Sequence, residues 1–142
     1  MAASVQSIEN AIITKLQETL PELSIEAFPE NPTEYELIHP LGSVLVQYDG
    51  STFRPNKVTN GAAVQIRDLR FVLALVLRNL RDSGGCYDVL QRAAEALGGL
   101  VIPGAVTCLT PVNESFSSEA DGVWVYVQGY EVSVKFVSEY HR

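Results

Sequence analysis

The stretch Val64 to Arg78, VQIRDLRFVLALVLR, constrains this chain more than any other. Read with period two, its odd positions from Leu69 onward (Leu69, Phe71, Leu73, Leu75, Leu77) form a continuous apolar ladder. Its even positions are polar at Asp68 and Arg70 and then small or β-branched. That is the pattern of a central strand buried on both faces in its second half. A helical spacing also runs through Leu69, Leu73, Val76, Leu77 and Leu80, and periodicity alone leaves the two open. The β-branched Val64, Ile66, Val72 and Val76 favour the strand.

Length adds a second constraint. A strand of this length, at roughly 3.3 Å per residue, spans about 50 Å, whereas a domain of this size has a radius of gyration of about 14 to 15 Å. Such a strand bends strongly or overhangs its own domain, and an overhang is a place to meet a neighbouring subunit. Val123 to Val137 is a second candidate of matching length, with Trp124, Tyr126, Tyr130, Val132, Val134 and Phe136 on one face. The two are expected to pair antiparallel, with helices covering one face of the sheet.

The remaining elements follow from spacing and punctuation. Val5, Ile8, Ile12, Leu16 and Leu20 mark one face of a helix over Ser4 to Leu20, opened by Ser4 or Ser7 and ended by Pro21. A short strand is expected at Leu23 to Ala27. Irregular chain follows through Pro29, Pro32 and Pro40, with one helical turn over Thr33 to Leu37, and then a strand from Ser43 to Asp49. Gly50 to Ala63 reads as a long connection, a place where loops carry function. A second helix over Cys86 to Leu97 buries Val89, Leu90, Ala93, Ala94 and Leu97, with Asp82 or Ser83 as its cap and Gly98-Gly99 as its stop. Val106 to Val112 reads as a short strand, and Asn113 to Gly122 as a polar turn ending in Asp-Gly.

Composition bounds the function. With 142 residues, 46% hydrophobic and 19% charged, the chain suits one globular domain with a real core. Its apolar runs are too short to span a bilayer and its opening residues lack a basic n-region, so a cytoplasmic, membrane-free protein is expected. Residues 1 to 50 hold eight acids against Lys15 alone, a net charge of −7, and the remainder is neutral with nine of each sign. Seven of the ten basic residues lie between Arg54 and Arg92. This balance argues against sequence-specific nucleic-acid binding. It permits head-to-tail self-association of an acidic surface with a basic one, although scattered solvated charges have the same composition.

No set of residues meets the requirements of a catalyst or a cofactor site. Cys86 and Cys108 have no ligand spacing and are expected to be reduced and packed as small hydrophobes; His39 and His141 read as turn and tail. There is no G-x-S-x-G, no Walker lysine and no G-x-G-x-x-G, and Glu34 with Glu36 reads as solvated charge. Trp124, Tyr126 and Tyr130 could stack on a ligand, but large apolar area with a polar handle more often serves a core or a subunit interface. An enzyme is therefore not expected, nor a metal or cofactor.

Three passages carry a resemblance over most of the chain: ITKLQETLPELSIEAFPENPTEYELIHPLGSVLVQYDGS, VQIRDLRFVLALVLRNLRDSGGCYDVLQRAAEAL and ESFSSEADGVWVYVQGYEVSV. Marked by Pro29, Gly50, Gly84 to Tyr87 and Gly122 to Trp124, they resemble the small tail proteins of Mu-like contractile-tailed phages and prophages, the tail terminator or tail-completion family. The resemblance implies a single-domain α+β subunit with an antiparallel or mixed sheet containing two long strands, flanked by two main helices. It implies a virion protein assembled in the host bacterial cytoplasm. Copies would form a ring, six by analogy, capping the head-proximal end of the tail tube, with the tube protein and a head-tail connector or neck protein as further partners. A different connector or tube-related component is the alternative. Within this frame Phe53, Arg54 and Lys57 are expected to contact a partner, Arg67 and Arg70 to make charge contacts between subunits, and Trp124 and Tyr126 to lie at an interface.

Overall fold

The long strand is real, and it organises a mixed five-stranded sheet of order β1-β2-β3-β5-β4. In the computed structural model, which describes residues 2–30, 40–55 and 63–138, the elements are α1 (Val5–Thr19), β1 (Ser24–Ala27), β2 (Gly42–Phe53), β3 (Ala63–Leu77), α2 (Cys86–Leu97), β4 (Thr110–Ala120) and β5 (Val123–Ser138). β1 runs parallel to β2 and all other neighbours are antiparallel. The fold is α+β. β3 and β5 pair without interruption from Ala63 opposite Ser138 to Leu77 opposite Trp124, as the two apolar ladders require.

Both helices lie on the face defined by the odd positions of β3. Leu69, Phe71, Leu73, Leu75 and Leu77 are fully buried there with Val44, Val46, Tyr130, Val132 and Val134, against Ile8, Ile12 and Leu16 of α1 and Val89, Ala93 and Leu97 of α2. The opposite face departs from the expected double burial: Val76 is buried, but Val72, Ala74, Val125 and Val127 are half exposed. Their β-branched character suits a strand whose second face is only partly covered.

Local chemistry fixes the helix ends. The Ser4 hydroxyl accepts from the Ser7 amide at 3.0 Å and the Ser7 hydroxyl accepts from the Ser4 amide at 2.9 Å, a reciprocal cap that starts α1 at Val5. α2 is opened differently from the expected Asp82 or Ser83 cap. The Asn79 and Leu80 carbonyls accept from the Cys86 and Tyr87 amides, and the Asp88 carboxylate accepts from the Gly84 amide. The chain approaches itself so closely that a Cβ at Gly85 would lie 2.9 Å from the Asp82 carbonyl oxygen, which leaves room only for glycine. Arg92 of α2 then reaches the end of α1, donating to Glu22 and, at 2.9 Å, to the Thr19 carbonyl. It supplies the cation that the last turn of α1 lacks.

Two expected boundaries move. Gly50 to Phe53 belongs to β2, which continues through a bulge between Tyr48 and Gly50 instead of ending at Asp49. The bulge shifts the alternation by one residue, so Ser51 and Phe53 share a face with Tyr48. Neither Val106–Val112 nor Asn113–Gly122 is as expected: β4 runs Thr110–Ala120 and only Asp121-Gly122 turns. Both turn residues have positive φ, 52° and 80°, as a two-residue hairpin demands. Every residue of β4 is exposed, and so is Cys108, whereas Cys86 is buried and its thiol is pushed up to about 11 by that burial. The expected helical turn over Thr33 to Leu37, His39 and His141 lie outside the described residues.

Candidate functional site

The sheet runs past its core at the end where β3 begins, and the expected contact residues divide between that end and the opposite one. Beyond Leu69, the first residues of β3 and the last of β5 extend past the core with the end of β2. Phe53 is 44% exposed and Phe136 38%, packed edge to face with centroids 5.1 Å apart on the helix side. Val64 pairs with Val137 on the other side, and both are exposed. This end therefore exposes apolar side chains on both faces.

Charge is held tightly within it. Arg54 grips Asp68 with both arms of its guanidinium, at 2.9 and 3.0 Å, and the Ser133 hydroxyl also donates to Asp68. The Arg54 hydrogen bond, then that from Ser133, hold the Asp68 carboxyl below its usual range. The Arg67 guanidinium lies across β2, donating to the Ser51 hydroxyl at 3.0 Å and the Tyr48 hydroxyl at 3.1 Å, with the Phe53 ring 5.2 Å away. A guanidinium stacked on an exposed aromatic ring is a frequent anchor at protein interfaces.

Phe53, Arg54 and Arg67 thus come together, while Arg70 does not join them. It lies on the opposite face and meets Glu131 at 3.8 Å, with both side chains more than 40% exposed. Trp124 and Tyr126 are at the far end of β5, in a second cluster with Phe116 of β4 and Tyr87 of α2. Phe116 lies 6.2 Å from Trp124 and 5.6 Å from Tyr126, Tyr87 lies 6.4 Å from Tyr126, and Arg81 sits 5.8 Å over the Tyr87 ring. Lys57 lies outside the described residues.

Sequence reasoning missed Phe116, Phe136 and Asp68. Phe116 sits in a polar segment without apolar alternation, but the Asp-Gly turn after it was a usable signal, since such a turn needs a strand on each side. Asp68 takes its meaning from the register of β2 on β3, which composition does not reveal.

A groove of about 560 Å³ between α1 and residues 100–103 is lined by Ala11, Leu100, Ile102 and Pro103 with Ser7, Asn10, Thr14, Lys15 and Glu18 at its rim. Among the described residues no three His, Cys, Asp or Glu side chains are placed to hold a metal ion.

The sheet of this α+β chain thus leaves Phe53 and Phe136 exposed at one end and Phe116 and Tyr87 exposed at the other. The Gp37 protein family matches residues 12–141. The chain belongs to that family and is a phage protein. No curated protein matches it.

Proposed function

We propose that this chain is a tail terminator. Copies of it close into a ring, six by analogy with the tail-completion proteins it resembles, on the head-proximal end of the tail tube. The ring stops tube polymerisation and offers its other surface to a neck or connector protein, which places the chain in the virion. The observation that carries this reading is the β2-β3-β5 end, which exposes Phe53 and Phe136 on one face and Val64 and Val137 on the other. Exposed apolar clusters of this kind mark contact surfaces, and Phe53 with Arg67 supplies the aromatic and guanidinium anchors that dominate interface energetics. Membership of a phage family supports the same reading. The function needs no cofactor and no catalytic group.

Mass in solution, measured by light scattering across ionic strength, tests the ring, and electron microscopy of the protein mixed with tail tubes tests the cap. A ring-sized species that weakens with salt and binds tube ends rather than tube walls is expected. A protein that remains monomeric with and without tubes, and ignores their ends, overturns the reading. A connector would instead associate on the portal side and do so without tube protein.

A further inference from the structure

We propose that the Asp121-Gly122 turn is a latent modification site, where the aspartate isomerises to isoaspartate once the turn opens and which the left-handed backbone and Glu119 hold shut. An aspartate followed by glycine is the pair most open to this reaction, because the attacking amide belongs to a residue with no side chain to hinder it. The chain has two such pairs, Asp49-Gly50 and Asp121-Gly122. The first lies in the bulge of β2. The second is exposed at the tip of the β4-β5 hairpin, and a Cβ built on Gly122 would meet nothing within 4 Å, so packing does not shield it.

The reaction needs only the chain and water. The Gly122 nitrogen attacks Cγ of the Asp121 carboxyl group, a new N–C bond replaces the C–OH bond, and the amide proton leaves with that hydroxyl as water. Water then reopens the five-membered imide at either carbonyl. Opening at the main-chain carbonyl carries the backbone through Cβ and Cγ, which is isoaspartate, with no net change in mass.

Conformation holds this chemistry off. Asp121 has φ 52°, the one positive value among the described non-glycine residues. In the left-handed region Cβ crowds the carbonyl oxygen that follows it, so it lies across the Cα–C bond from the Gly122 nitrogen, whereas ring closure needs the two on the same side. The Gly122 amide also donates to the Glu119 carboxylate at 3.0 Å, and Ala120 pairs with Val123 directly behind the turn. Reaction therefore waits for the turn to open. Isoaspartate then adds one carbon to a backbone path of only two residues between the strands, and the tight turn no longer fits. A reversible local opening becomes permanent.

The test incubates the full chain at neutral pH, folded in buffer well below its unfolding midpoint and unfolded in urea. Isoaspartate is then measured by methyl transfer with an isoaspartyl methyltransferase and assigned to Asp121 or Asp49 by peptide mapping. Wild type is expected to form isoaspartate at Asp121 when unfolded, and at least about tenfold more slowly when folded, because only the opened turn reacts. E119A is expected to raise the folded rate at Asp121 about two- to tenfold, the range of one net hydrogen bond. It should leave the unfolded rate, and the folded rate at Asp49, where they were. Equal rates at Asp121 in the folded and unfolded chain, or no isoaspartate there even when unfolded, overturn the latent site. A folded rate that E119A leaves unchanged, or changes as much in urea, overturns Glu119 as its latch.

Discussion

The two ends of the sheet are held together by different chemistry. The β2-β3-β5 end is three strands wide and tied by the Arg54–Asp68–Ser133 network and by Arg67 on β2. At the opposite end, where Trp124 pairs with Leu77 of β3, the β4-β5 hairpin is held by stacked rings, Phe116 on Trp124 and Tyr126, with Tyr87 reaching up from α2. Ionic contacts depend on pH and salt, while ring contacts depend mainly on area removed from water. A sheet end held by rings keeps its shape across conditions. One held by charges holds tightly at low salt and loosens as ions compete.

The largest effect is expected where both ends are anchored. Tyr130, fully buried, donates to the Gln128 side-chain oxygen, and Gln128 in turn donates to the Leu90 carbonyl at 3.1 Å, joining β5 to α2. Gln128→Leu leaves the Tyr130 hydroxyl and the Leu90 carbonyl without these partners and should cost about 2 to 3 kcal/mol in urea unfolding, loosening both ends together.

The hairpin comes next. Phe116→Ala should cost about 0.5 to 1.5 kcal/mol. Faster amide exchange should appear in β4 and in the first half of β5, while the exchange of Val64 to Asp68 stays as it was.

Acid separates the ends most cleanly. Asp68 has a folded pKa held below its ordinary value of 3.8, so its contribution is fully present above that value. It is lost as pH falls through the depressed folded pKa. Amide protection at Val64 to Asp68 should therefore drop as pH falls below the ordinary carboxylate value of 3.8 and through the depressed folded pKa, and protection around Trp124 should follow only with global unfolding. If both ends lose protection in parallel, the contrast between them is wrong.

The smallest effect belongs to Arg70, whose exposed contact with Glu131 is of the kind that contributes little. Arg70→Glu should leave chain stability within about 0.5 kcal/mol. Under the ring reading it should still weaken assembly; a full ring from this variant removes Arg70 from the interface.

How much of this was legible in the sequence depends on where burial wrote a pattern. β3, β5 and both helices bury a continuous stripe, so Leu69 to Leu77, Tyr130 to Val134 and Ile8 to Leu16 announced themselves with the right period. β4 buries nothing, and TPVNESFSSEA offers no alternation to read. β2 was cut short because its bulge shifts the alternation just as Gly50 suggests a turn. At the candidate site the residue types were readable, aromatic and basic, but their grouping was not. Arg67 and Arg70 look equivalent in sequence, yet three positions apart on a strand puts them on opposite faces. Once β3 was read as a strand, that separation followed from the sequence alone.

The Asp121-Gly122 turn has a kinetic consequence. It joins β4 to β5 across two residues, so that hairpin can form in about 1 to 10 μs. The β3–β5 ladder must instead bring together segments separated by α2 and the hairpin itself, a slower, non-local closure. During folding, β5 is thus paired first with the strand that contributes least to the core. The edge left waiting is the one destined for β3, lined by Tyr130, Val132 and Val134. The most apolar strand edge of the unfinished chain is therefore an interior one, hidden once folding is complete. Aggregation during refolding of the full chain should track how fast β3 and β5 meet.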